Sequence, residues 1–253
     1  MFKEGLVSVI IPVYNAGKFI EETILTAERQ TYSKIEIVIV DDCSTDNSIE
    51  IIKGLAKTYN NIFLYENETN SGAGVSRNKA ILKSTGQYVA FLDSDDLWVA
   101  DKIEKQVNDL KNHDGAFSYG AINMISEDGS IKKGKRKIKS KVTYKYLLKN
   151  TVIATSTVLV DRNKIGAFEM SKRRGGQDYA TWLSLLKKCG VAYGINEVLC
   201  SYRTGRKDSL AGNKWKSIKQ VWQIQTQDER INKFSSFINL MFFIFNALKK
   251  YLF

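Results

Sequence analysis

The 253-residue chain has one histidine and three cysteines, and each scarcity narrows what it can be. Cys43, Cys189 and Cys200 are an odd set without metal-ligand spacing, which argues against a disulfide framework and a zinc knuckle and fits a reducing cytoplasm. The lone histidine, His113, stands at an expected helix end before Asp114-Gly115, where the C-terminal dipole suits it better than catalysis. No apolar run reaches the roughly 20 residues of a comfortable membrane span. Strand-like LVSVIIPV follows Met1 so closely that no leader with charged, apolar and small-residue regions fits before it. After that strand the chain reads PVYNAGKF rather than G-x-G-x-x-G, which excludes a dinucleotide-binding dehydrogenase. No repeat of about 20–50 residues is present.

What is there is a globular chain. Apolar residues make up 43% of it, ample for a core, and its length suits one large domain or one domain with an appendage. A formal charge of +11 calls for an anionic partner: nucleic acid, a phospholipid surface or a phosphorylated small molecule. The basic residues concentrate in KKGKRKIKSK, residues 132–141, and in Lys172-Arg173-Arg174, which are either solvated surface or anion-facing patches.

Strand-like runs over residues 6–13, 35–40, 62–65 and 88–92 alternate with helical patterns over 20–30, 48–59, 74–83 and 101–112. Four consecutive strand–helix units predict a mostly parallel sheet covered on both faces. After Gly115 the pattern becomes α+β, with a hairpin turning at Glu127-Asp128-Gly129, a strand over 155–160 and a helix over 177–189. The expected organisation is a catalytic domain over 1–213, with halves 1–112 and 113–213, and a helical segment over 214–253.

Ligands of open α/β sheets sit beyond the carboxyl ends of the strands. Those exits read Pro12-Val13-Tyr14-Asn15, Asp41-Asp42-Cys43-Ser44-Thr45-Asp46, the glycine-containing NSGAGVSRN of residues 70–78, and Asp93-Ser94-Asp95-Asp96. Residues two apart in an extended segment point the same way, so Asp93 and Asp95 can present two hard oxygen ligands to Mg²⁺ or Mn²⁺. Alternatively they cap the helix near Asp101 or decorate a loop. At least one of Asp41 and Asp42 can equally be a local Asx-turn acceptor.

Carrying VSVIIPVYN, VDDCSTDNS, NSGAGVSRNKA, FLDSDDLW and GGQDYATWLSLLKKCG in this order, the chain resembles the family 2 glycosyltransferases of bacterial polysaccharide biosynthesis over roughly residues 6–203. The resemblance implies an α/β GT-A fold: a Rossmann-like, mostly parallel central sheet with an α+β acceptor-side half and C-terminal helices. It implies inverting transfer of one sugar from a UDP-sugar to an acceptor hydroxyl, with Mn²⁺ or Mg²⁺ on Asp95 and Asp93. It assigns the uracil N3–H to Asp42 and the base-bearing wall to Pro12 and Tyr14, beside Val13 and Asn15. The rest of the donor falls to Gly74, Arg77, Asp93, Ser94, Asp95 and Arg203. Arg77 has Ile81 rather than an acid four residues on, which also favours a diphosphate or uracil contact over a surface ion pair. Asp178 resembles the general base of the family; the other reading is a helix N-terminal aspartate stabilised by the dipole. Two departures are visible: Gln177 where glutamate is usual, and Cys43 where glycine is usual, which alters a turn.

A Q-x-x-R-W signature and several membrane spans, the marks of processive synthases, are both missing, so a single addition is expected. A nucleic-acid binder would not need acidic strand exits. A non-catalytic sugar-nucleotide-binding module would keep Asp42 and Asp95 but has no use for Asp178. The loop SYRTGRKDSLAGNK, with Arg203, Arg206 and Lys207, is expected to fold over the donor diphosphate. FSSFINLMFFIFNAL, residues 234–248, reads as an interfacial helix on an anionic membrane surface, or else a core helix or oligomer contact. Membrane attachment suits a saccharide or polyprenyl-diphosphate-linked saccharide acceptor, and a cytoplasmic enzyme peripheral on the inner face of the plasma membrane.

Overall fold

The computed structural model describes residues 2–204 and 214–252. β1 (Lys3–Val13) and β2 (Ile35–Asp41) are rich in β-branched residues and buried over residues 7–13 and 35–41, as central strands covered on both faces must be. With β3 (Ile62–Glu66) and β4 (Gly86–Phe91) they form the parallel array β3-β2-β1-β4. The crossovers are α1 (Ile20–Glu28), α2 (Ser48–Thr58) and α3 (Ala73–Lys83), in agreement with the strand–helix alternation of the sequence.

β5 (Leu97–Trp98), α4 (Lys102–Asn112), β6 (Phe117–Ile125), β7 (Ile131–Lys133), β8 (Lys141–Thr143), α5 (Tyr144–Leu147), β9 (Leu159–Asp161), α6 (Arg162–Ile165), α7 (Gln177–Cys189) and β10 (Val191–Arg203) follow. β9 pairs antiparallel with both β4 and β6, and β6 runs parallel to β10. Ten strands among the described residues thus make one sheet that runs through the segments expected as two halves. The expected hairpin is β6–β7, turning with Gly129 at φ 85°. His113 is the C-cap of α4 and stacks on Tyr193.

The run over 155–160 is not one strand. Thr155–Thr157 is a 3₁₀ turn and only Leu159–Asp161 is extended. Local polar bonds win there: Thr157 Oγ1 donates to the Ala154 carbonyl at 2.7 Å, while the Ser156 carbonyl accepts the Trp98 indole N–H at 2.7 Å.

Alternation along the strands divides the core. Ile10, Val38 and Val40 face one layer, with Phe117 and Trp182; Val9, Ile11, Ile37 and Ile39 face the other, with Trp98 and Ile103. Trp182 of α7 is fully buried and lies edge-on to Phe91 and Phe117, at 5.4 and 5.5 Å between ring centroids. A buried tryptophan of this kind is worth about 3–5 kcal/mol against alanine, and it fixes α7 against β4 and β6.

The C-terminal segment comprises α8 (Lys214–Gln223), a π-helical turn (Ile224–Asp228) and α9 (Lys233–Leu252). It is built into the first core layer through Val221, Ile224 and Phe243, the last edge-on to Tyr179 at 6.2 Å. It approaches the start of α7 closely at Gly175, where a Cβ would lie 1.9 Å from Gln220 Nε2. The loop residues Arg206 and Lys207 lie outside the described residues.

Candidate active site

At the β1 exit Pro12 and Val13 are buried in the strand, whereas Tyr14 is half exposed. Asn15 turns the chain at φ 46° and is tied to the β2 exit. Its N–H donates to Ser44 Oγ at 2.9 Å, and its side-chain oxygen accepts the Thr45 N–H at 2.8 Å.

Asp41 and Asp42 have separate tasks. Asp41 accepts the Ser44 N–H at 2.8 Å, which is the local turn its sequence allowed. The buried Asp42 carboxylate accepts from the Gly72 N–H (2.6 Å), the Ser71 N–H (2.9 Å) and Asn67 Nδ2 (2.8 Å), and so pins the loop that opens α3. Cys43 between them and the loop adopts φ 65°, a left-handed conformation that explains why glycine suits this position.

At the β4 exit burial alternates. Asp93 and Asp95 are partly exposed while Ser94 and Asp96 are buried, and the segment is a turn closed by the Asp96 N–H on the Asp93 carbonyl at 3.1 Å rather than an extended strand. Asp93 and Asp95 do not cap α4, whose N-cap is Asp101. Arg77, buried on α3, donates to Asp93 Oδ1 at 2.5 Å, an ion-pair partner that its own helix could not have revealed. Asp96 is a strut: Ser156 Oγ donates to it at 2.5 Å and the Arg203 N–H at 2.9 Å. Burial, with the neighbouring charges of Asp93 and Asp95, pushes its carboxyl well above the usual range.

Arg203, expected as a donor contact, is held by protein groups. Its guanidinium donates to the carbonyls of Asp95 (2.9 Å), Ser126 (3.2 Å) and Glu127 (2.7 Å) and to Glu22 (3.0 Å). It thereby ties the Asp95 backbone to the Ser126-Glu127 turn and to Glu22 of α1.

α7 brings Asp178 to the same edge. Gly176 supplies its N-cap at φ 66°, and Trp182 holds the helix one turn further on. Burial raises the proton affinity of Asp178; hydrogen bonding to the Tyr179 N–H and the Arg77 charge oppose this, and the Asp93 charge adds to it. Asp178 therefore shares an electrostatic neighbourhood with Arg77 and Asp93. Tyr202 of β10 reports the same cluster: burial and the charges of Asp96, Asp93, Asp95 and Asp178 all raise its hydroxyl. Gly74 lets the two helix starts meet, since a Cβ there would lie 1.9 Å from Gln177 Oε1.

Sequence reasoning missed three supports: Asn67, which bridges Asp42 and Ser76; Ser156, which also accepts the Asp93 N–H at 3.1 Å; and Gln220, packed on Gly175. Each acts across long sequence separations, where spacing carries no signal.

The sequence pattern of Glycosyl transferase family 2 matches residues 8–175, ending just before α7. The chain belongs to glycosyltransferase family 2. As a family 2 glycosyltransferase it is 42% identical over 245 residues to the putative teichuronic acid biosynthesis glycosyltransferase TuaG of Bacillus subtilis, covering 97% of each chain. It is 34% identical over 248 residues to WfgD of Escherichia coli, a UDP-Glc:α-D-GlcNAc-diphosphoundecaprenol β-1,3-glucosyltransferase, covering 98% of this chain and 96% of that one. TarS of S. aureus, solved with UDP, shares the fold at a TM-score of 0.67 and 20% identity over 93% of this chain and 69% of that one. The enzyme thus has the GT-A architecture and is of the bacterial polysaccharide-biosynthesis type.

The donor set of this glycosyltransferase fits a hard divalent cation completed by a ligand. Among the described residues no group of three or more acidic, histidine or cysteine side chains could cage a metal. One or two carboxylates plus substrate phosphates are what Mg²⁺ and Mn²⁺ ordinarily take. The upward push that Asp93 and Asp95 exert on Asp96 marks a negative potential that a cation would relieve.

Proposed function

We propose that this glycosyltransferase moves a single sugar, with inversion, from a UDP-sugar to a hydroxyl of a polyprenyl-diphosphate-linked saccharide. The observation that carries the reading is the convergence of Asp178, with its raised proton affinity, on Arg77 and Asp93 at the carboxyl edge of the sheet. Asp178 takes the proton of the acceptor hydroxyl as its oxygen attacks the anomeric carbon from the face opposite the nucleotide. A carboxyl whose proton affinity is raised by burial is a better base than an ordinary one.

The half-exposed Tyr14 supplies a face for the uracil, with Pro12, Val13 and Asn15 shaping the strand end beneath it. Asp42 uses three of the about four acceptor positions of a carboxylate, which leaves one for the uracil N3–H. Asp93 and Asp95, with Ser94 turned inward between them, would hold Mn²⁺ or Mg²⁺, which supplies positive charge against the departing diphosphate. Arg77 holds Asp93 in place, and Gly74 keeps the base helix close.

The UDP donor and lipid-linked acceptor follow the activity of WfgD, the E. coli relative that matches nearly end to end. A lipid-borne acceptor places the enzyme on the inner face of the plasma membrane. The test is a panel of UDP-sugars with a short-chain diphosphate-linked saccharide and Mn²⁺, the product read by NMR. A β-linked product from an α-linked donor is expected; a retained configuration, or no transfer from any UDP-sugar, would overturn the reading.

A further inference from the structure

α9 is amphipathic in the reverse sense. The stripe it turns to the protein holds Ser236, Asn239 and Phe243, all buried, and Asn246, which donates to the Lys149 carbonyl at 3.0 Å. The opposite stripe holds Phe234, Phe237, Met241, Phe242, Phe245 and Leu248, each 48–76% exposed. Their spacing of three and four makes them one continuous face. Scattered apolar side chains on a surface mean little, but a contiguous face of this size marks a binding surface.

We infer that this face seats the enzyme on an anionic phospholipid surface, with α9 lying in the plane of the headgroups. Charge decides between lipid and a second copy. Neither α8 nor α9 contains an aspartate or glutamate, and each contains three lysines. Lysines lie at both ends of α9, so two copies apposed antiparallel through it would set lysine against lysine, whereas acidic headgroups complement them. Lys149 Nζ stands 4.8 Å from the Phe242 ring, at the flank of the apolar face, as an interfacial lysine does. Trp215 of α8 is 81% exposed, and indoles favour the headgroup level. Among the described residues no helix is long and apolar enough to cross a membrane, so the helix lies on the surface.

The inference deepens the lipid-linked acceptor reading and takes its purpose from it, but it stands on the helix face. The full chain is sedimented with vesicles of phosphatidylglycerol and phosphatidylcholine, and separately with phosphatidylcholine alone. A triple variant, Phe237→Ser, Met241→Ser, Phe245→Ser, alters only outward side chains. Strong binding to the acidic vesicles, partly resistant to salt, is expected, with weak binding to the neutral ones and a loss of at least about 100-fold in the variant. Donor hydrolysis and the circular dichroism spectrum of the variant should match those of the parent. A chain that stays in the supernatant, or one that is a dimer dispersed by the variant without binding vesicles, overturns the inference. Transfer to a water-soluble acceptor reports separately on the acceptor reading, which survives that outcome.

Discussion

One methyl group at Gly74 tests whether the donor and base sides of the site are held in register by contact. Position 74 is in the first turn of α3 with ordinary helical backbone, so alanine fits locally. Its Cβ would lie 1.9 Å from Gln177 Oε1 and 3.0 Å from Gln177 Cδ, so the amide must retreat by about 1 Å. The atom struck is the end of a flexible side chain. Off-rotamer strain of about 0.5–1.5 kcal/mol is offset by the better helix propensity of alanine, about 1 kcal/mol. Stability should therefore change by less than about 1 kcal/mol, a Tm shift within about 4 °C. Catalysis should not be spared, because Gln177 is the residue before Asp178. A displacement of this order at the reacting groups costs up to about 10²-fold. We expect Gly74→Ala to lower kcat roughly 10- to 100-fold with the donor Kd, from calorimetry, within about three-fold of the parent. Adding Gln177→Ala should restore most of the loss, since the clash is gone. An unchanged kcat in Gly74→Ala, or a double variant no better than the single, would refute a register set by this contact.

Chelation of divalent cations, or Asp95→Ala, should abolish donor binding in the same calorimetric assay, and full activity in excess chelator would remove the metal assignment. Asp178 must be ionised to act, so kcat/KM should fall as pH drops through a value above the ordinary carboxylate 3.8. Because the Arg77 charge holds that value down, Arg77→Met should move the acidic limb upward; a limb that moves down would contradict the shared site. Lys102 is fully buried over the Trp98 ring, and burial lowers it to about 7 from 10.5. Between those values the unfolded chain binds more protons, so stability should rise with pH from 7 towards 10.5, and the penalty is complete below 7. Urea unfolding of Lys102→Met should lose that slope.

Strand and helix order was legible wherever the period was strong. The parallel array from β3 to β4 follows from apolar runs that need two covered faces, whereas the β4 exit, read as extended, is a turn at Ser94-Asp95. What was hidden is long-range. Arg77 looked unpartnered because its acid, Asp93, comes from another element. Nothing local shows that the carbonyls of Asp95, Ser126 and Glu127 converge on Arg203. The run over 155–160 has strand composition, yet the hydroxyls of Ser156 and Thr157 and the Trp98 indole turn its first half aside. Lys102 sits among charged neighbours in a sequence that reads as solvated helix, and only packing reveals its burial. The apolar face of α9 was visible as a pattern; that its polar stripe faces inward was not.

The claim that Asp178 is the base is tested most directly by Asp178→Asn. Donor affinity is measured by calorimetry and transfer by single-turnover kinetics. The carboxamide keeps the shape but cannot accept the proton. UDP-sugar affinity within a few-fold of the parent, with the transfer step slowed by roughly 10²- to 10⁴-fold, is expected. A transfer rate equal to that of the parent would contradict it and return Asp178 to the role of a helix N-terminal aspartate.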